Sequence, residues 1–164
     1  MQNTLYPSKV TVSNGDDKFR TSFTCDLGDQ QQPFIDDLDQ RISAQLGISV
    51  NNSESIQGQK YNVGQEFKAH TDYFEPGTLE YQKHASAMGQ RAWSFMVYLN
   101  TTIKGGETYF PNLGVTIKPK KGMALIWNNL LPEGACNPAT LHHAMPVISG
   151  DKYVVTKWFR TRST

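Results

Sequence analysis

Apolar residues recur along this chain with two different periods. Between residues 33 and 46 the period is helical: Phe34, Leu38, Ile42 and Leu46 return every fourth position, and Ile35 broadens the stripe. Pro33 suits the first position of a helix and Gly47 supplies its stop. A helix over 33–46 is therefore predicted, lying against the outside of a sheet. From residue 56 onward the pattern shortens to strand after strand, punctuated by Gly, Pro and Asn. Strands are predicted over 56–63, 67–73, 92–100, 106–110, 115–118, 122–128, 142–147 and 152–160. In 92–100 the alternation puts Trp93, Phe95, Val97 and Leu99 on one face and Ser94, Met96, Tyr98 and Asn100 on the other. Short strands with one supporting helix predict a mainly β fold, a double-stranded β-helix or jelly roll whose two sheets enclose a lumen. On periodicity alone an immunoglobulin-like sandwich competes with it.

Composition narrows the function classes. At 164 residues the chain reads as one domain, 1–164. Sixteen basic and 15 acidic residues leave a net charge of +1, without the clustered basic charge that nucleic acid or an anionic membrane would require. The small group Lys118, Lys120 and Lys121 reads as a solvated turn. Cys25 and Cys136 show no CxxC or zinc-ribbon spacing, which predicts incidental thiols in a reduced, cytoplasmic protein. Residues 1–10 carry no leader pattern, and no apolar run approaches the ~20 residues of a spanning helix. A soluble protein is expected.

The strongest chemical signal is His70-Thr71-Asp72. On a strand, positions i and i+2 project from one face, so an imidazole and a carboxylate would converge. His142 and His143 offer a third ligand from the strand that begins there. Two His and one carboxylate leave three positions of an octahedron open, as non-haem iron(II) oxygenases require. A bare HxD is weak evidence, since most such tripeptides are accidents of composition. A second signal is Lys152, in the strand Lys-Tyr-Val-Val-Thr-Lys-Trp-Phe-Arg. If Lys152 faces the lumen, parity turns Val154, Thr156 and Trp158 inward with it, and the buried cation then calls for an anionic partner such as a dicarboxylic acid. The competing reading is a solvated turn lysine, because Gly150-Asp151 precede it.

At these positions the sequence resembles the prolyl 4-hydroxylase family of iron(II)/2-oxoglutarate dioxygenases. The resembling stretches are YNVGQEFKAHTDYF (61–74), GQRAWSFMVYLN (89–100), GGETYFP (105–111), IKPKKGMALIWNN (117–129) and LHHAMPVISGDKYVVTKWF (141–159). RTS at 20–22 resembles a short family motif ahead of the helix. The resemblance implies iron(II) on His70, Asp72 and His142, with His143 on the outer face. It implies 2-oxoglutarate held at its far carboxylate by Lys152, Tyr61 and Thr108, and it places Arg91 and Trp158 near the prolyl substrate. Dioxygen is the other cosubstrate implied, with ascorbate as an accessory reductant. The implied reaction hydroxylates C4 of proline in a peptide or protein, converting 2-oxoglutarate to succinate and carbon dioxide.

Glu54 falls near the expected peptide groove, though a surface carboxylate reads equally well. His84 reads as an exposed loop residue, Trp93 and Trp127 as core or sheet-packing aromatics. Family members usually carry a strand-and-helix segment ahead of SKVTVSNG (8–15), and its absence from this sequence reads either as a minimal form or as a missing part. Segments of about 11–21 and 75–89 are expected to face the peptide, the second as a mobile flap with Gly77 and flanking aromatics. Three rival readings remain: a zinc hydrolase on the same triad, a non-catalytic jelly roll binding proline-rich peptides, and an oxygenase of this class acting on a free amino acid or a nucleobase. A hydrolase has no use for Lys152, Tyr61 and Thr108.

Overall fold

The computed structural model describes residues 5–9, 18–28 and 32–162. In chain order the elements are β1 (Tyr6–Pro7), β2 (Phe23–Asp26), α1 (Pro33–Leu46), β3 (Gln57–Tyr61), β4 (Phe67–His70), α2 (Leu79–Ala85) and β5 (Arg91–Tyr98). There follow β6 (Lys104–Gly105), β7 (Thr108–Phe110), β8 (Val115–Ile117), β9 (Ala124–Asn128), β10 (His142–Ala144), β11 (Val147–Ser149) and β12 (Lys152–Arg160). A six-stranded sheet in the order β1-β2-β3-β12-β5-β9 faces a four-stranded sheet in the order β4-β10-β7-β8, and β6 and β11 form a small third sheet. All named pairs are antiparallel. This is the mainly β jelly roll expected, with two α-helices among the described residues instead of one.

Alternation along β5 and β12 divides the interior into two cores. Met96, Tyr98 and Val154 join Tyr61, Phe110 and Trp127 between the sheets, while Phe95, Val155 and Phe159 meet Ile35, Ile42 and Ile56 beneath α1. The helix thus lies on the outer face of the large sheet. Its boundaries match the expectation, and Gly47 ends it at φ 66° in the left-handed region. The buried stripe, however, is rotated from the one read off the sequence. Phe34 is 73 % exposed, and the stripe runs through Ile35, Asp39 and Ile42. Asp39 concealed it, because a carboxylate is not expected at a core position. It is buried because Lys157, on the outer face of β12, meets it in an ion pair of 2.8 Å.

Several strands are shorter than the pattern suggested. The expected 67–73 strand stops at His70, and Asp72 lies in a bend beyond it. The 142–147 strand breaks at Met145-Pro146 into β10 and β11, since proline cannot donate to a continuing ladder. In the 75–89 stretch, Thr78 caps the seven-residue α2 by accepting from Tyr81 N–H at 3.1 Å. Seven residues are too few to display a helical period. His84 is part of that helix and stacks on Phe74 at 5.4 Å, so it is not a loop residue. Of the segment expected at 11–21, residues 11–17 lie outside the described residues.

Candidate functional site

The register between β4 and β10 pairs His142 with His70 across the ladder. Two imidazoles distant in sequence are thereby brought side by side, their ring centroids 4.2 Å apart and their planes tilted by 54°. Each ring is held by the carbonyl two residues before it: His70 Nδ1 lies 2.7 Å from Lys68 O, and His142 Nδ1 lies 2.9 Å from Thr140 O. A carbonyl only accepts, so both Nδ1 atoms carry the proton and both Nε2 atoms present a lone pair. Those Nε2 atoms lie 3.8 Å and 4.0 Å from Asp72 Oδ1. One ligand atom from each of the three residues falls within 4.8 Å of the others, and the group suits a cation. The bend after β4, not strand alternation, carries the Asp72 carboxylate to this point.

Aromatic rings wall the triad, and its surroundings set the protonation of His70 and Asp72. Phe67 stacks on His70 at 3.5 Å, and Trp127 packs against His142 at 4.9 Å. Burial, reinforced by His142, pushes His70 well below the usual imidazole range, so it stays neutral and able to ligate. Burial alone would raise the Asp72 carboxyl. His142, His70 and Arg91, with a hydrogen bond from Ser94, outweigh it and hold Asp72 below the ordinary value. His143 turns away, its Nε2 2.7 Å from Glu66 Oε2. That outward direction matches its expected place.

A cavity of about 510 Å³ opens from the triad in two directions. One end is closed by Lys152, which faces Tyr61 across the β3–β12 ladder. Lys152 is 1 % exposed and its Nζ has no hydrogen-bond partner. Its nearest company is aromatic, with Nζ 4.9 Å from the Tyr61 ring and 5.6 Å from that of Tyr98. Burial drives the ammonium down to about 7, opposed only by Glu107. The solvated-turn reading of Lys152 is therefore set aside. Thr108 shares a 2.6 Å hydrogen bond with Tyr98 Oη and lines the same end. The paired glycines before it have a steric role. A Cβ on Gly105 would lie 2.5 Å from Pro146 O, and one on Gly106 would crowd the Lys152 side chain at 3.3 Å.

At the other end stand Arg91 and Trp158, the guanidinium 4.1 Å from the ring centroid. Arg91 is clamped by Glu54 through two hydrogen bonds of 2.6 Å and 2.7 Å, and Arg160 pairs with the same carboxylate at 2.7 Å. Glu54 is thus the anchor of an arginine pair, not a free surface carboxylate. Every residue expected at the site lines this cavity: His70, Asp72 and His142, then Lys152, Tyr61 and Thr108, then Arg91 and Trp158. Other lining residues were not expected at the site, Trp127 and Arg20 among them. Trp127 serves the core as expected, but it also walls the triad, which alternation along β9 could not distinguish from packing. Arg20 lies over the Phe67 ring at 4.7 Å, and the RTS motif was its only sequence signal.

Comparison with known proteins agrees with this geometry. The family described as the 2OG-Fe(II) oxygenase superfamily matches residues 56–160. A viral collagen prolyl hydroxylase from Paramecium Bursaria Chlorella virus-1, solved as a 2OG complex, is 30 % identical with a TM-score of 0.74, covering 87 % of this chain and 80 % of that one. A Pseudomonas putida prolyl-4-hydroxylase shares the fold at 20 % identity and a TM-score of 0.64, over 95 % of this chain and 77 % of that one. Prolyl 4-hydroxylase subunit alpha-1 of Gallus gallus is 32 % identical over 144 residues, 88 % of this chain but 28 % of the relative, so the chain spans less than a third of that protein's length. With the family match over most of its length and a His-Asp-His triad in place, the chain belongs to the 2OG-Fe(II) oxygenase superfamily and is prolyl 4-hydroxylase-like.

Proposed function

We infer that this chain is an iron(II)- and 2-oxoglutarate-dependent dioxygenase that hydroxylates C4 of proline in a peptide or protein. Lys152 carries the reading. A buried ammonium without a partner is costly, and a dicarboxylate bound at the triad would supply the missing anion at this end of the cavity. The triad fits iron(II): two imidazole nitrogens and one carboxylate oxygen converge, and such a set would leave positions for exchange. Bound iron, 2-oxoglutarate and dioxygen supply the oxidising chemistry, in which the cosubstrate is decarboxylated to succinate and one oxygen atom enters the substrate C–H bond.

The chain's own residues bind, orient and exclude water. Lys152 Nζ donates to the far carboxylate. Thr108 donates to it while accepting from Tyr98, a direction open to a hydroxyl pair in which either atom can donate. Burial raises the Tyr61 phenol, so it remains a neutral donor beside Lys152. At the far end Arg91, fixed by Glu54, stacks over Trp158, whose buried Nε1 has no partner. An extended proline-rich segment is already populated in polyproline II conformation, so it enters with little ordering cost.

The test is a succinate assay with iron(II), 2-oxoglutarate and a panel of prolyl peptides, with and without oxygen, read by mass. Oxygen-dependent succinate coupled to peptides heavier by one oxygen atom is expected. Turnover that ignores oxygen, or hydroxylation confined to free amino acids, would overturn the reading.

A further inference from the structure

We propose that Ser94 and Asn129 form a positioning pair that fixes Asp72 as a one-oxygen ligand, with Oδ1 toward the metal position and Oδ2 withheld from it. The inference rests on the iron-site reading above and specifies how that site keeps its exchange positions open. Ser94 Oγ lies 2.5 Å from Asp72 Oδ2, and Asn129 Nδ2 lies 2.9 Å from Ser94 Oγ. Both Ser94 and Asn129 are wholly buried.

A serine hydroxyl has one proton, and its direction decides what Asp72 experiences. With the Asn129 amide N–H₂ donating into Oγ, that proton goes to Asp72 Oδ2. The opposite amide orientation would offer a single hydroxyl proton to two acceptors and leave one contact unmade. Asn129 Oδ1 has no partner, so the observed orientation serves Ser94 even though the amide oxygen is left unsatisfied. The backbone holds Asn129 in place: its N–H donates to Ala92 O at 2.7 Å, and its carbonyl accepts from Asn137 at 2.9 Å. Ser94 stands on β5 and Asn129 directly follows β9, so the large sheet reaches across the lumen to hold a carboxylate that sits in a bend.

With Oδ2 engaged by a charge-assisted bond, Oδ1 is the oxygen that faces both imidazoles, at 3.8 Å and 4.0 Å. Without Ser94 the carboxylate is free to rotate or to bind through both oxygens. The second oxygen would then occupy a position that a chelating 2-oxo acid needs. Loss of such supporting partners commonly costs 10–100-fold in metal affinity.

The experiment compares the wild type with Ser94→Ala, Ser94→Thr and Asn129→Leu, first by anaerobic titration with iron(II) or manganese(II), then by the visible charge-transfer band of the iron(II) protein on adding 2-oxoglutarate. Ser94→Ala is expected to weaken metal binding by roughly 10–100-fold and to diminish or shift the band at saturating metal. Asn129→Leu should do the same to a smaller degree, and Ser94→Thr, which keeps the hydroxyl, should restore both. A Ser94→Ala protein with wild-type metal affinity and band overturns the proposal, as does a Ser94→Thr protein that fails to recover them. So does an Asn129→Leu protein whose only change is a lower melting temperature. A wild-type protein that binds no metal and gives no band overturns the iron-site reading itself, which separates the two failures.

Discussion

Replacing Lys152 with Met should make the cosubstrate-free protein more stable and the loaded one far less so. The folded structure lowers the Lys152 ammonium from 10.5 to about 7 by burial. A displacement of that size corresponds to about 5 kcal/mol against the charged form, an upper bound because water entering the cavity reduces it. The sign follows from proton counting. Between pH 7 and 10.5 the unfolded chain holds the lysine proton and the folded chain does not, so stability rises with pH across that window. Below pH 7 the penalty is present in full. Met fills a similar volume without charge, so the variant should melt several degrees higher at pH 7 and lose this pH slope. Cosubstrate binding should respond oppositely. Losing one partner of a buried charge pair costs ~3–5 kcal/mol, which weakens 2-oxoglutarate affinity by roughly two to three and a half orders of magnitude. In the wild type, binding above pH 7 must recharge the amine, so affinity should fall by up to about tenfold per pH unit with uptake of about one proton. Calorimetry at pH 8 in two buffers of different ionisation enthalpy measures that uptake. A Met variant that melts no higher and still binds 2-oxoglutarate normally, or a wild type that takes up no proton, would refute the reasoning.

Three further outcomes are expected. His142→Ala should abolish metal binding and turnover, whereas His143→Ala, which breaks only a half-buried contact with Glu66, should keep most of both; the reverse in a metal titration would displace the ligand by one residue. Trp158→Ala should raise KM for prolyl peptides far more than KM for 2-oxoglutarate and increase succinate formed without hydroxylated product; a variant with normal melting and unchanged peptide KM would remove Trp158 from the substrate end. Lys157→Met should lose ~3–5 kcal/mol in denaturant unfolding because Asp39 is left charged and buried, and adding Asp39→Leu should recover most of it; a double variant as unstable as the single would mean the pair is not the cause.

Much of the site was legible because short-range rules govern it. Period-two alternation along β12 turned Lys152, Thr156 and Trp158 to the cavity and Val155 and Phe159 to the helix, as the sequence indicates. What escaped notice depended on partners distant in sequence. Asp39 reads as a solvent-facing position of α1 until Lys157 is placed beneath it. Glu54 gained meaning only from Arg91 and Arg160. Ser94 and Asn129 fall inside resembling stretches but carry no chemical signal of their own, since an inward serine and a buried asparagine are ordinary until the carboxylate they hold is located. The convergence of His70 and Asp72 was correctly expected for an insufficient reason, as the strand ends before Asp72.

The cross-strand pairing of His70 with His142 also bears on how the chain becomes competent. Because period-two geometry alternates faces, sliding β10 by one residue would present His143 to the lumen and send His142 outward. Only one register assembles all three ligands, and it exists only after a late strand has docked beside an early one. A chain in which β10 has not docked beside β4 therefore has no complete site to load. A bound ion would be a cross-link between β4 and β10 that closes a long loop and favours the docked state over the open one.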